Sequence, residues 1–294
     1  MPDVVVIGSI NVDRAVGVPV APLRGSTLLG ADVLRGPGGK GANQAVALAR
    51  LGRSVAMIGA VGDDEDGEWM LGKLAHEGID ITGIVRVPQP TGQAFIFVEP
   101  NGESTIIVAP GANSALTPAH LEGVRERIAG ARCVLVQQEI PVDVVARAAE
   151  LARGLFVLNP APAREVSPEV LANADVLVPN RFELAGLLGE PVPEDAAGVE
   201  RMARAIVGPS AVVVTLGVDG ALVVEGGTTH HVAATAVVPV DATAAGDTFC
   251  GALVDALLDG MSTVDAAAWA SKVAAIAVGR RGAQESIPYR AEVG

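Results

Sequence analysis

An aspartate preceded by a run of small residues is the first feature of the sequence that could do chemistry. Asp247 follows Ala244, Ala245 and Gly246. The pattern predicts that an apolar strand ends at Asp241 and that a helix begins near Ala245. Backbone amides at a helix start favour an anion such as a transferring phosphate. Asp247 could stabilise the helix dipole or act as a general base for an attacking hydroxyl, and the small residues before it favour the base.

A glycine-rich turn, GGKGANQ at 38–44, leads into a second predicted helix. Such a turn lets the backbone approach a small polar ligand, and Asn43 offers both a donor and an acceptor. An ordinary glycine loop with a helix cap explains the segment equally well. Gly36, Gly38 and Gly41 also fit a dinucleotide-binding pattern. That pattern requires a buried strand directly before the glycines, and the sequence predicts none there. A nicotinamide cofactor is therefore not expected.

Two further motifs follow predicted strands. Asn180 and Glu183 have the spacing of a helix capping box, and the same two groups could orient magnesium-bound waters and nucleotide phosphates. In TLGVDG, residues 215–220 form either a hairpin turn or a loop that contacts a nucleotide. The residues themselves leave both pairs of interpretations open.

Composition excludes several classes of protein. The 294 residues carry 21 Lys plus Arg and 34 Asp plus Glu, a net charge of −13, which argues against a general nucleic-acid or anionic-membrane surface. Cys133 and Cys250 are isolated and the four histidines lack metal-ligand spacing, so neither a disulfide scaffold nor a zinc module is expected. The N-terminus does not resemble a signal peptide and no apolar run is long enough to span a membrane, so we expect a cytoplasmic protein.

Short apolar segments alternate with helical patterns along most of the chain, which predicts an α/β fold with a parallel sheet. The predicted strands are 4–7, 55–58, 134–136, 155–158, 176–178 and 212–216. The predicted helices are 42–51, 142–152 and 248–258, with C-terminal glycines at 52, 154 and 260.

Part of the chain breaks this alternation. Residues 11–20, 93–99 and 105–109 read as short strands without helices between them, and PNGE at 100–103 reads as a hairpin turn. These segments predict a small β flap over one edge of the main sheet. An exposed edge strand in such a flap predicts a homodimer through the flap.

Taken together, six motifs resemble the ribokinase branch of the PfkB carbohydrate kinases from Val4 to about Pro288. The motifs are GSINVD at 8–13, GGKGANQA at 38–45, NPAPARE at 159–165, PNRFE at 179–183, TLGVDG at 215–220 and DATAAGD at 241–247. The resemblance implies a ribokinase-like three-layer αβα sandwich with a central, mostly parallel sheet and a small β-sheet lid. Residues 1–294 would form one α/β domain, with the lid built from about 11–20 and 90–112.

The resemblance also implies an activity, namely phosphorylation of D-ribose at O5 by ATP with Mg²⁺ and a monovalent cation, K⁺. Deoxyribose, another pentose or a nucleoside is the alternative acceptor, and a non-catalytic sugar-binding regulator is the alternative class of protein. The expected partners are the small-molecule sugar and ATP, without nucleic acid or membrane. Asp247 would be the base, and the amides of Ala244, Ala245, Gly246 and Asp247 would form the anion hole.

Three groups of binding residues follow from the same resemblance. Those expected to hold the sugar are Asn11, Asp13, Gly39, Lys40, Gly41, Ala42, Asn43 and Glu139. Those expected along the nucleotide are Asn180, Glu183, Thr215, Leu216, Gly217, Val218, Asp219, Gly220, Gly246 and Ser271. Those expected around the monovalent cation are Asp241, Thr243, Ala277, Arg280, Gly282 and Ser286. By the same resemblance, Ser271 stands where family members often have His or Asn near adenine, and Arg181 and Phe182 depart from the family's acidic stretch.

Overall fold

A nine-stranded sheet crosses the described part of the chain, which comprises residues 1–25, 27–100 and 104–294 of a computed structural model. The strands in those residues are β1 (Val4–Ile7), β2 (Asn11–Gly17), β3 (Leu34–Gly38), β4 (Val55–Gly62), β5 (Asp80–Val87), β6 (Gly92–Val98), β7 (Ser104–Ala109), β8 (Cys133–Gln137), β9 (Leu155–Asn159), β10 (Val176–Leu177), β11 (Ala211–Thr215), β12 (Ala221–Glu225) and β13 (Thr228–Val232). The large sheet has the order β13-β12-β11-β10-β9-β8-β1-β4-β5. It is parallel from β11 to β5, and β12 and β13 are antiparallel.

Helices cover both faces of this sheet. Within the described ranges they are α1 (Lys40–Arg50), α2 (Glu65–His76), α3 (Pro118–Glu122), α4 (Arg125–Gly130), α5 (Val142–Leu151), α6 (Pro168–Asn173), α7 (Arg181–Leu188), α8 (Ala196–Ala205), α9 (Ala245–Leu258), α10 (Thr263–Val278) and α11 (Arg290–Val293). Side chains of α1, α2 and α9–α11 belong to one apolar core, and those of α3–α8 belong to a second core.

Strand β1 shows how the two cores are separated. Val4 and Val6 pack into the first core, whereas Val5 and Ile7 pack into the second. Successive side chains of a strand point to opposite faces, so a strand covered on both faces must be apolar throughout. The structure therefore confirms the three-layer αβα fold with a mostly parallel sheet.

A separate four-stranded sheet has the order β3-β2-β6-β7. The predicted flap segments form β2, β6 and β7, whereas residues 101–103 of the predicted hairpin turn lie outside the described residues. Strand β3 was not predicted, because its sequence LRGPG has a proline and no alternation of apolar residues. As an edge strand it tolerates Pro37, and it pairs Gly38 with Asn11 of β2. This pairing brings the glycine-rich turn to the start of the small sheet.

The predicted helices are present with shifted ends. Helix α1 starts at Lys40 rather than at residue 42. Helix α9 starts at Ala245, as the small residues before Asp247 predict, and not at residue 248, where the apolar periodicity begins. Gly52 and Gly260 have the positive φ values of 92° and 82° that are typical after a helix end. Gly154 does not, since α5 ends in extended backbone at Ala152, so the predicted glycine cap there is wrong.

The prediction of an apolar strand that ends at Asp241 is also wrong. The segment before Asp241 has no strand, and its side chains Val237, Val238 and Val240 are exposed. The amides of Val240 and Asp241 both donate to the carbonyl of Val278 at the end of α10. The backbone donors are thus satisfied by a helix end and not by a neighbouring strand.

Cys133 and Cys250 are free and buried. Within the described residues, no helix is both long enough and apolar enough to cross a bilayer.

A buried carboxylate ties the far end of α9 to three other parts of the chain. The side chain of Asp255 is 1% exposed, and it accepts hydrogen bonds from Arg53 (2.6 Å), Arg290 (2.6 and 2.8 Å) and Trp269 (3.2 Å). Asp259, one turn later, also pairs with Arg53 but is 52% exposed. Removing the partners of a buried charge destabilises the fold far more than removing those of an exposed charge, because water cannot reach the buried charge and replace its partners.

We predict that Asp255→Asn lowers the free energy of unfolding by about 3 kcal/mol, as expected when a buried ion pair is broken. The matched change Asp259→Asn, on the same helix and beside the same arginine, should cost less than about 1 kcal/mol. Urea unfolding at pH 7 measures both values. Equal losses in the two variants would contradict the assigned role of Asp255.

Candidate active site

The carboxyl ends of the central parallel strands gather predicted site residues and several others at one edge of the large sheet. Gly8 and Ser9 follow β1, Glu139 follows β8, Asn159 ends β9, and Asn180 comes just after β10. Ligands of open α/β sheets bind at this edge, where the chain leaves neighbouring strands in different directions.

Asp247 lies in the first turn of α9 and is 7% exposed. Ala244, the residue before the helix, has a left-handed backbone with φ 58°, a strained conformation for a residue with a side chain. The amide of Ala245 is bonded to the carbonyl of Ala242 at 3.2 Å, so the predicted anion hole does not include it. The amides of Gly246 and Asp247 are in the first turn, where a helix has no carbonyl to bond them.

Two side-chain amides hold the carboxylate of Asp247. Nδ2 of Asn43 donates to Oδ2 at 2.9 Å, and Nε2 of Gln44 donates to Oδ1 at 3.0 Å. Burial raises the pKa of Asp247 and the nearby charge of Glu139 raises it further, whereas Lys40 and the two amides lower it. Burial has the largest effect, so the pKa of this carboxyl lies above its ordinary value.

A polar cavity of about 440 Å³ opens in front of Asp247. The predicted sugar-binding side chains that line it are Asn11, Asp13, Lys40, Asn43 and Glu139, together with Gly39. Burial and the charges of Glu139, Asp247 and Glu285 raise the pKa of Asp13 to about 7. Burial lowers the pKa of Lys40, but Asp247, Glu139 and Glu183 together raise it above its ordinary value. Lys40 is therefore a charged group in this cavity at neutral pH.

Gly41 and Ala42, which were predicted to contact the sugar, lie outside the lining of the polar cavity. Gly41 lies against the backbone of Gly8 and Ser9, where a Cβ would come within 2.7 Å of both. Ala42 is buried in the core, and its amide donates to the carbonyl of Ser9 at 2.9 Å. These two residues lock α1 against the end of β1.

The capping box of α7 is present, and it also forms a wall of the cavity. Oδ1 of Asn180 accepts from the amide of Glu183 at 2.9 Å, and Oε2 of Glu183 accepts from the amide of Asn180 at 2.8 Å. Both residues line the polar cavity. Burial is the largest effect on the carboxyl of Glu183 and raises its pKa. The structural and the functional interpretations of this motif are thus compatible.

A second, apolar cavity of about 500 Å³ adjoins the first and shares Thr215, Ala242 and Gly246 with it. Its further lining includes Gly217, Val218, Gly220, Phe249, Ser271 and Val278. Gly220, with φ 89°, lies where any Cβ would collide with the carbonyl of Val232.

The loop TLGVDG joins β11 to β12, and this confirms the hairpin. Not all of its residues face the apolar cavity, since Leu216 is buried and Asp219 pairs outward with Arg181 at 2.6 Å. Neither side chain is placed to contact a nucleotide in that cavity.

Asp241 organises the predicted cation site. Its Oδ1 accepts from the amide (2.9 Å) and hydroxyl (2.6 Å) of Thr243, and its Oδ2 accepts from the amide of Gly282 (3.0 Å). Burial raises the pKa of Asp241, but these hydrogen bonds outweigh it and the pKa lies below its ordinary value. Ala277 and Arg280 belong to the end of α10 and the turn after it.

The remaining predicted cation residues contribute differently. The guanidinium of Arg280 pairs with Glu292 at 2.7 Å, so only its backbone is available to a cation. The hydroxyl of Ser286 donates to the carbonyl of Ala283 at 2.8 Å. In the described ranges, no three His, Cys, Asp or Glu side chains group as metal ligands. A cation at this loop would therefore combine backbone oxygens with the carboxylate of Asp241.

Several polar residues of the site were not predicted. They surround Asp247, Asn43, Glu139 and Asn11, and they are Ser9, Gln44, Asn113, Gln137, Asn159 and Gln284. Ser9, Gln44 and Asn159 belong to quoted motifs, so the available signal was their position beside predicted residues. Asn113 and Gln284 had no such signal, because they reach the site only through folding.

Comparison with known proteins identifies relatives that span nearly the whole chain. The sequence model of the pfkB family carbohydrate kinases matches residues 1–290. The ribokinase of Haemophilus influenzae is 42% identical over 294 residues, covering 98% of this chain and 95% of that protein. The deoxyribokinase of Salmonella typhimurium is 36% identical over 293 residues, covering 97% and 95%.

Solved structures agree with these matches. The structure of the Arabidopsis thaliana ribokinase complexed with ribose and ATP superimposes with a TM-score of 0.91 at 29% identity, covering 99% of this chain and 97% of that one. The shared fold and the nearly full coverage agree with the family match over residues 1–290. The chain belongs to the pfkB family of carbohydrate kinases.

Proposed function

We propose that this chain transfers the γ-phosphoryl group of ATP to the 5-hydroxyl of D-ribose. The observation that carries the proposal is the position of Asp247, buried at a helix start where a polar cavity and an apolar cavity meet at Gly246. The similarity to ribokinases, one of them complexed with ribose and ATP, supports ribose and ATP as the two substrates.

The polar cavity suits the sugar. Carboxylates and amides of Asn11, Asp13, Asn43 and Glu139 can accept from and donate to vicinal hydroxyls. The small sheet, including about 11–20 and 90–112, would act as a lid over it within one domain of residues 1–294. Ala94, Ile96, Ile106 and Val108 of β6 and β7 line the cavity from that side. A closed lid limits transfer of the phosphoryl group to water.

In the transfer step, Asp247 takes the proton of the 5-hydroxyl as the oxygen attacks the γ-phosphorus in line. The new bond joins that oxygen to phosphorus, the bond from phosphorus to the bridging oxygen breaks, and ADP leaves. The amides of Gly246 and Asp247 bind the charge of the transferring group. Positioning and charge stabilisation supply most of the rate enhancement in such a reaction.

The apolar cavity suits the adenine of ATP. Phe249, Val278 and Ser271 line it, and the polar Asn180 and Glu183 lie along the path towards Asp247. These two residues offer the amide and carboxylate oxygens that Mg²⁺ prefers, and they would hold it through bound water. When bound with ATP, Mg²⁺ would neutralise charge on the β- and γ-phosphate oxygens.

The loop around Asp241 fits a monovalent cation. The backbone oxygens after α10 lie at the negative end of that helix, and Asp241 adds a carboxylate beside Thr243 and Gly282. Potassium there would add positive charge near the anion site at Gly246.

We also propose a homodimer through the small sheet. All six residues of the edge strand β7 are exposed, including the apolar Ile106, Ile107 and Val108. An exposed apolar edge strand pairs readily with a second copy of the same chain.

The test of the proposed function is an ATP-coupled assay of ADP formation with ribose, deoxyribose, fructose, adenosine and pseudouridine. We expect the highest kcat/KM with ribose. A clear preference for deoxyribose, another pentose or a nucleoside would replace the proposed acceptor but keep the reaction. Ribose binding without ADP formation would instead indicate a sugar-binding regulator.

We predict that Asp247→Asn lowers kcat by about 10²–10⁴-fold, the usual contribution of a general base. Ribose and ATP should still bind, because the amide has the same shape as the carboxyl. Calorimetry measures binding, and the coupled assay measures turnover. Asp259→Asn at the other end of α9 is the matched control and should keep normal turnover. A near-normal kcat in Asp247→Asn would refute the base.

We predict that replacing potassium by tetramethylammonium at constant ionic strength lowers the initial rate by about tenfold, a usual scale of coupling between two sites. Asp241→Asn should lose most of this response, whereas Asp265→Asn, exposed at the start of α10, should keep it. Equal rates in the two salts would count against a potassium site.

A further inference from the structure

Asp247 is held by two buried amides that differ in their access to substrate. Asn43 lines the polar cavity, whereas Gln44 has no exposed surface and lies behind it. Nε2 of Gln44 nevertheless donates to Oδ1 of Asp247 at 3.0 Å. Gln44 therefore acts on the carboxylate and not on a bound sugar.

The orientation of the Gln44 amide follows from hydrogen-bond chemistry. An ionised carboxylate only accepts, so Gln44 must turn its Nε2 towards Asp247. Its Oε1 then faces away and accepts from Nε2 of Gln137 at 2.6 Å. The second N–H of Gln44 donates to Oδ1 of Asn159 at 3.1 Å, and Asn159 donates to the carbonyl of Val178 at 2.8 Å. The ends of β8 and β9 thus fix Gln44 in its donating orientation.

Gln137 keeps this orientation at a cost. Among the described residues, its Oε1 is buried without a hydrogen-bond partner, which is unfavourable for an acceptor. Rotating the Gln137 amide by half a turn would place this oxygen against Oε1 of Gln44. Gly8 provides the space, because a Cβ at that position would collide with the Gln137 amide. The fold therefore retains an unpaired acceptor so that Gln137 can donate to Gln44.

We propose that Gln44 is a positioning residue of the transfer step, which orients the Asp247 carboxylate and keeps it ionised, while Gln137 and Asn159 hold Gln44 in place. The inference rests on the proposed role of Asp247 as the base.

The charged groups around Asp247 show why a neutral donor matters. The titratable groups that face it come from β2, α1, the loop after β8, α7 and α9, and they are Asp13, Lys40, Glu139, Glu183 and Cys250. Of these, Lys40 alone favours the ionised carboxylate. Loss of the Gln44 donor should therefore raise the pKa of Asp247 further, so that the base is protonated up to a higher pH.

The test is Gln44→Met, which keeps the length of the side chain and removes the donor. We expect kcat to fall about tenfold or more, as for loss of a hydrogen bond to a charged group. The KM for ribose should change little, because Gln44 does not line the cavity. The acidic limb of the kcat–pH profile should move up by about one unit.

A direct titration separates this inference from the proposed function. In protein labelled with ¹³C at aspartate carboxyls, the Asp247 signal is identified by its absence from Asp247→Asn. We expect its pKa to rise in Gln44→Met. This measurement does not depend on turnover, so normal turnover in Asp247→Asn would refute the base and leave the effect of Gln44 measurable.

Gln138→Met is the matched control. Gln138 is also buried, but its Nε2 donates to the carbonyl of Glu165 at 3.4 Å and not towards Asp247. This variant should keep the kcat and the Asp247 pKa of the unchanged protein. An unshifted Asp247 pKa in Gln44→Met overturns the proposal, even if kcat falls. If Gln44→Met does not fold, Gln137→Met should shift the pKa in the same direction by less, and no shift there overturns it.

Discussion

The structure around the site depends on burying the carboxylate of Asp247 without leaving it unpaired. An isolated buried charge is strongly unfavourable, so its oxygens must accept hydrogen bonds and its charge must be balanced. Asn43 and Gln44 bond the two oxygens, and Lys40 supplies the opposite charge. All three are on the first turns of α1, so α1 and α9 must begin at the same place.

Small residues make that meeting of two helices possible. At Gly251, in the second turn of α9, an added Cβ would come within 2.7 Å of the Ala47 side chain. At the other contact, Gly8 and Gly41 let the end of β1 touch the start of α1. The main role of these glycines is therefore close packing. They bring α1 near enough to β1 and α9 for its side chains to reach Asp247.

The acidic composition poses a second problem for a protein that binds a nucleotide. Lys40 is the one Lys or Arg in the described lining of the polar cavity, which also holds Asp13, Glu139, Glu183, Asp241 and Asp247. Positive potential for the phosphates of the proposed nucleotide would then come mainly from the open amides of α9 and from the proposed cations. The net charge of −13 belongs to the whole chain, whereas the local field at the site also depends on the open amides of α9.

The sequence by itself determined the αβα layers. A strand that is apolar at every position, as β1 is, must be covered on both faces of its sheet, and the helical segments between such strands supply the cover. Short motifs likewise identified Asp247, Asn43 and the capping box at Asn180, since each depends on neighbours in the chain. Only the tertiary structure decided that the segment before Asp241 is a loop and that LRGPG is a strand, because both depend on partners distant in sequence. The orientation of Gln44 is of the same kind, since a hydrogen-bond direction is set by Gln137, Asn159 and Asp247, which meet only in the folded chain.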